Sequence, residues 1–177
     1  GIDVDLGSRA FAHDGLPQRV RAVDAGELEF HRYDLVVFAV PARELPAAVD
    51  EFGPRIHRRT GVLVRSTGLV PPLGALPSGY VGERIDTWAV GAIGGTAEEL
   101  DVGARVVVAS ADDAFSRQVQ MALSAAKLKA TRTSDVHGTE MAGCAAAAAA
   151  LAAAAAAEAG REAQDAAARQ VLAELDA

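Results

Sequence analysis

Cysteine is nearly absent: Cys144 is the single thiol in 177 residues. One thiol excludes an internal disulfide framework and a zinc site built from several cysteines. Aromatic residues make up only 5% of the chain, so its core must rest on aliphatic side chains and alanine. Basic charge is also scarce. Seventeen Lys and Arg face 24 Asp and Glu, leaving a formal charge of −7 at pH 7. That balance argues against bulk electrostatic binding to nucleic acid or anionic lipid, for which a basic face is the usual footprint. No signal peptide opens the chain, because Asp3 and Asp5 stand where a basic and then strongly apolar start belongs. The apolar run 144–157 is almost all alanine and falls short of the ~20 residues that a membrane span needs. It reads as a soluble helix, with no membrane insertion. No Met opens the chain, so residue 1 need not be the natural start. A cytoplasmic enzyme or binding protein is the default expectation.

Several chemistry-bearing motifs are missing too. No strand is followed by G-x-G-x-x-G, the turn whose amides hold a dinucleotide pyrophosphate. Gly91, Gly94 and Gly95 follow an apolar stretch at the wrong spacing. No phosphate-loop lysine motif occurs, and neither Ser66 nor Ser110 sits in a G-x-S-x-G elbow. His13, His31, His57 and His137 have no metal-ligand spacing with another His or Cys. The best grouping, Asp135 with His137 and Glu140, reads more simply as polar residues at a helix start. Cys144 reads as a small buried hydrophobe in an alanine helix.

What is present is globular in character. Half of the chain is hydrophobic and 23% is charged, a balance that supports a packed core. Short β-branched runs alternate with helical stretches up to about residue 133. Strands are expected at 2–6, 19–23, 35–40, 61–65, 88–93, 105–109 and 129–133. The continuous apolar run 35–40 has the pattern of a strand buried on both faces. A helix is expected over 42–52, with Leu45, Ala48, Val49 and Phe52 on one side. Residues 68–82, rich in Gly and Pro, are partly loop. Ser110 with Asp113 forms a candidate cap pair for a helix whose apolar face would be Phe115, Val119, Ala122 and Ala126. From Ser134 or Asp135 onward only helix is expected, broken at Gly160 and resumed over 161–175. Such alternation implies a mainly parallel sheet with crossover helices, followed by an all-helical segment.

In such a sheet a ligand sits beyond the carboxyl ends of the strands. The exits to inspect are residues 7–9, 41–43, 66–69 and 92–97. Their small residues would let a ligand approach the backbone, although any single exit reads more simply as an ordinary turn.

The ordered segments carry more than any one of them. These are Asp34-Leu35-Val36-Val37-Phe38-Ala39-Val40-Pro41, Val62-Leu63-Val64-Arg65-Ser66-Thr67-Gly68-Leu69, residues 89–97, Val106-Val107-Val108-Ala109-Ser110 and residues 134–143. In order and spacing the set resembles the NAD(P)-dependent glycerol-3-phosphate dehydrogenase family, in the 6-phosphogluconate dehydrogenase-like group. The resemblance spans nearly the whole chain. It implies an α/β, Rossmann-like domain over 1–133, lacking its first βα unit, and the start of a helical substrate and dimerisation domain over 134–177. The glycine fingerprint would then lie upstream of residue 1.

On this resemblance Arg9 would contact the adenosine part of NAD or NADP. Val40 and Pro41 would form the turn that passes the dinucleotide, and Ala97 would lie near the cofactor through its backbone. The departures matter as much. Thr67 stands where the family has a lysine serving cofactor and substrate phosphate. Ala146 and Ala147 stand where it has Lys-Asn, the lysine being the acid/base at the carbinol oxygen. Ala92-Ile93-Gly94 replaces a Ser-Gly-Pro stretch. Alanine cannot transfer a proton, so no catalytic residue is intact at Ala146. The expectation is an oxidoreductase of this type, acting on a small phosphate substrate and impaired as written. Two alternatives stay open: an enzyme using another substrate, and a non-catalytic homologue that assembles, as a homodimer or with a partner, through its helical segment.

Overall fold

The computed structural model describes residues 2–4, 20–72, 74–95, 103–156 and 160–175. Strand β1 (Ile2–Val4) pairs in parallel with β2 (Val20–Ala22), Ile2 opposite Val20. A second sheet of five strands runs in the order β3 (Leu35–Phe38), β4 (Gly61–Val64), β5 (Val90–Gly94), β6 (Arg105–Ser110) and β7 (Lys129–Thr133). Strands β3, β4 and β5 are parallel, in register Val37–Leu63 and Val64–Ala92. Strand β7 is parallel to β6.

One ladder is antiparallel. Strand β6 runs against β5, with Ala92 opposite Ala109. Only residues 95–104 separate the two strands, and a parallel crossover needs roughly a dozen residues or more, usually with a helix. The sheet is therefore mainly parallel with a reversed β6–β7 pair.

Helices α1 (Leu45–Phe52) and α2 (Pro77–Gly82) cover one face of the sheet. There Phe38, Leu45, Val49, Val62, Val64, Val81 and Ile85 form one buried cluster. Helix α3 (Asp113–Ala125) covers the opposite face over β4 to β6. Its Phe115 packs with Leu63, Val108 and Val119 and meets Trp88 edge-to-face at 5.5 Å. The ring lies where side chains on Gly61 and Gly91 would be, and a Cβ on Gly91 would sit 2.8 Å from it. Gly61 leaves room for Phe115, and Gly91 for both Phe115 and the Ala109 carbonyl, which a Cβ there would meet at 2.7 Å.

Three local expectations need correction. Strand β3 is buried on one face only: Leu35 and Val37 are 36% and 48% exposed, because β3 is an edge strand and α3 does not reach over it. Helix α3 is capped by Asp112, which accepts from Phe115 N at 2.8 Å. Ser110 instead donates to Val90 O at 2.7 Å and tethers β6 to β5. The buried stripe of α3 is Phe115, Val119 and the half-buried Leu123, not Ala122 and Ala126, which are exposed. On its outer side Arg117 and Arg132 both donate to Asp113, at 2.6 and 2.5 Å, and hold its carboxyl below the usual value.

Helix α4 (Val136–Ala155) and helix α5 (Arg161–Leu175) form the all-helical segment, separated at Gly160, whose φ is +96°. Asp135 caps α4, accepting from Gly138 N at 2.8 Å. The helix thus begins eight residues before the alanine run and reaches 20 residues. By length and composition alone it is long enough and apolar enough to cross a membrane, which the run 144–157 by itself was not. Its first turns are nonetheless bound to the sheet domain. Thr139 packs on Gly94, where a Cβ would come within 2.5 Å of its methyl carbon. Glu140 reaches Ser78 at the start of α2.

Candidate functional site

A cleft opens where the parallel strands end, the edge at which open α/β sheets bind ligands. The residues that follow β4 form one wall: Arg65, Ser66 and Thr67. The end of β5 forms the floor, with Gly94 and Gly95. The first turns of α4 close it with Thr139, Glu140 and Gly143.

The wall is fixed to its neighbours by hydrogen bonds. Arg65 N donates to Phe38 O at 2.8 Å, extending the β3–β4 ladder past both strands. Ser66 Oγ then donates to Val40 O at 2.6 Å, so two strand exits are tied together. Pro41 O accepts from Glu44 N and Leu45 N and turns the chain into α1. Gly95, with φ +147°, adopts a backbone conformation that a side chain would strain. On the far side, both carboxylate oxygens of Glu140 are engaged: Ser78 N donates at 2.8 Å and Ser78 Oγ at 2.6 Å. That pair clamps α4 to α2 beside the cleft.

The expected site residues separate under this geometry. Thr67 lines the cleft, and Val40 adjoins it through Ser66. Pro41 is exposed one residue further along. Ala146 lies on α4 one turn beyond Gly143. Residues 139, 143 and 146 follow the i, i+4, i+7 spacing of one helix face, so position 146 shares the cleft side of the helix. Arg9 and Ala97 lie outside the described residues. Sequence reading missed Arg65, Thr139 and the Glu140–Ser78 clamp as site features. Arg65 had one signal, a charge placed directly after the apolar run 62–64. The clamp had none, because its partners are far apart in sequence.

The cleft holds about 40 Å³ of water-accessible space. A buried water needs about 10–15 Å³ on that measure, so the space suits a few oxygen-sized groups. No group of three or more potential metal ligands occurs among the described residues; Asp135 caps α4 and Glu140 joins the clamp to Ser78.

An α/β sheet with its glycine-lined cleft at the carboxyl edge defines a Rossmann-like domain. Among solved structures, the chain is similar to glycerol-3-phosphate dehydrogenase from Coxiella burnetii, with TM-score 0.82 and 18% identity, over 91% of this chain and 51% of that one. It is also similar to glycerol-3-phosphate dehydrogenase of Plasmodium falciparum, with TM-score 0.77 and 16% identity, over 90% of this chain and 47% of that one. A D-mandelate dehydrogenase solved with NADH and anilino(oxo)acetate matches at TM-score 0.57 and 16% identity, over 78% of this chain and 46% of that one. At such identities the likeness shows the fold. The chain spans about half the length of these structures. No protein-family model and no curated protein matches it.

Proposed function

We propose that this chain is a cytoplasmic oxidoreductase domain of the glycerol-3-phosphate dehydrogenase type, and that it is impaired in catalysis as written. The parent reaction is NAD(P)H-dependent reduction of dihydroxyacetone phosphate to sn-glycerol 3-phosphate. The observation that carries this reading is the cleft at the carboxyl edge, closed by the face of α4 that also bears position 146. The fold shared with two glycerol-3-phosphate dehydrogenases supports the same assignment.

The impairment follows from the residue at 146. Reducing a ketone creates an alkoxide that needs a proton, and acid–base help is worth about 10²–10⁴-fold. Alanine supplies none. A helical side chain leans toward the helix N-terminus, over the preceding turn. A lysine at 146 would therefore lean toward Gly143 and the cleft.

Ala146→Lys tests this. With millimolar NADH and dihydroxyacetone phosphate, the parent chain should give no turnover and the variant a measurable loss of reduced nicotinamide that requires both compounds. A folded Ala146→Lys protein that stays inert, or that reduces a different ketone in preference, would contradict the reading.

A second reading is favoured by α4 itself. Only Ala149 is buried along it, while Met141 and Leu151 are 43% and 72% exposed. A homodimer or partner helix packed there would bury them. Light scattering of the intact chain separates the two readings: a monomer that gains activity with Ala146→Lys fits the first, and a dimer that stays inert fits the second.

A further inference from the structure

We propose that the amino ends of β4 and β5 carry a separate interaction surface, a basic groove that takes an acidic peptide segment of a partner protein. It lies at the opposite edge of the sheet from the cleft and does not rest on the reductase reading.

The charge pattern of the chain points to this edge. The net charge is −7, yet residues 52–82 hold no Asp or Glu and four arginines, Arg55, Arg58, Arg59 and Arg65. The first three fall within five residues just ahead of β4. Arg55 is committed within the chain: it donates to Gly26 O at 3.1 Å and to Leu28 O at 2.7 Å, and its guanidinium lies over the Phe30 ring. Arg58 and Arg59 are exposed, and neither side chain forms a hydrogen bond or ion pair among the described residues.

An open groove of about 430 Å³ adjoins them, lined by Pro54 and Ile56 as well as by Arg58, Arg84 and Asp86. Arg84 is held in place, donating to Glu83 at 3.1 Å and to Tyr80 O at 3.2 Å and stacking on the Tyr80 ring at 3.7 Å. The charge left over for a partner is therefore that of Arg58 and Arg59. The turn that carries them is pinned from two sides. Thr60 Oγ1 donates to Tyr33 O at 2.8 Å, Thr87 Oγ1 donates to Thr60 O, and Arg59 N donates to His57 Nδ1 at 3.2 Å. A backbone already fixed lowers the ordering cost of binding.

These features select the occupant. Guanidinium forks match carboxylates, and Pro54 and Ile56 give the stems of acidic side chains an apolar surface to cover. A groove open along its outer side suits an extended chain better than a small molecule, which concave sites enclose. Nucleic acid fits less well. Its dense charge would run past two arginines onto a chain of net charge −7, whereas a short acidic segment brings only a few carboxylates.

Fluorescence polarisation of a labelled eight-residue polyglutamate peptide, titrated at low salt with the intact chain, tests this. The parent should bind it, and added salt should weaken binding. Arg58→Glu should weaken it about fivefold or more. Arg161→Glu makes the same change in net charge at the start of α5 and should stay within twofold. Both side chains are exposed, so neither change should move the melting temperature. A parent that does not bind the peptide, or equal losses in the two variants, overturns the proposal. Tighter binding of a thymidine octanucleotide, abolished by Arg58→Glu, also overturns it and makes nucleic acid the occupant. A parent dimer in light scattering that Arg58→Glu dissociates overturns it in favour of a second copy of the chain. Should Arg58→Glu fail to fold, Arg58→Gln combined with Arg59→Gln decides: binding within twofold of the parent overturns the proposal, and a larger loss supports it.

Discussion

The five-stranded sheet and the α4–α5 hairpin are held by different forces. All four residues of β4 are buried, and the ring of Phe115 fills the space that Gly61 and Gly91 leave open. Along α4, by contrast, only Ala149 is buried. The sheet is held by close packing of fully buried side chains, the hairpin by the contact of α4 with α5, by helix propensity, and by a cap and ties at its first turns. The cleft lies where the two regions meet. A wall from the packed region, with Arg65 and Thr67, faces the first turns of α4, where Thr139 packs on Gly94 and Glu140 bonds to Ser78.

The sharpest way to break the contrast is Phe115→Ala. Truncating a buried Phe typically removes about 3–5 kcal/mol, and here it would also empty the space over two glycines. Denaturant unfolding should show that loss, while the equivalent change at Leu151, which is 72% exposed, should stay within about 0.5 kcal/mol. Next comes Gly94→Ala. Its Cβ would meet the Thr139 methyl carbon at 2.5 Å, and overpacking of this kind costs about 1–3 kcal/mol. Because the strain falls on α4, hydrogen exchange in its first turns should rise together with the loss of stability. The smallest effect belongs to the cap. Asp135→Ala removes the acceptor for Gly138 N and should cost about 1 kcal/mol. Hydrogen exchange should then rise in the first turn of α4 and stay unchanged in β4.

Much of the sheet was legible because its strands are apolar runs with clear stops. The runs expected at 35–40, 61–65, 105–109 and 129–133 emerge as β3, β4, β6 and β7, with ends shifted by one or two residues in the first three, and Gly160 interrupts the helices as its composition suggests. What escaped was decided by tertiary context. The reversal at β6 follows from a connection too short for a crossover, while periodicity reports no strand direction. The bare face of β3 reflects which helix lies over Leu35 and Val37, a fact that an apolar run cannot carry. Ser110 and Asp112 compete as caps within three residues, and the bond from Ser110 to Val90 O settles the choice. In the site, Val40 and Thr67 were within reach of sequence because strand exits are predictable. The clamp was not, because Ser78 and Glu140 stand 62 positions apart.

The proposed loss of the proton donor at position 146 is tested most directly by a sensitive assay of the unaltered 177-residue protein with NADH and dihydroxyacetone phosphate. A flat trace with no sn-glycerol 3-phosphate formed is expected. Sustained, substrate-dependent oxidation of NADH by this chain alone would contradict it.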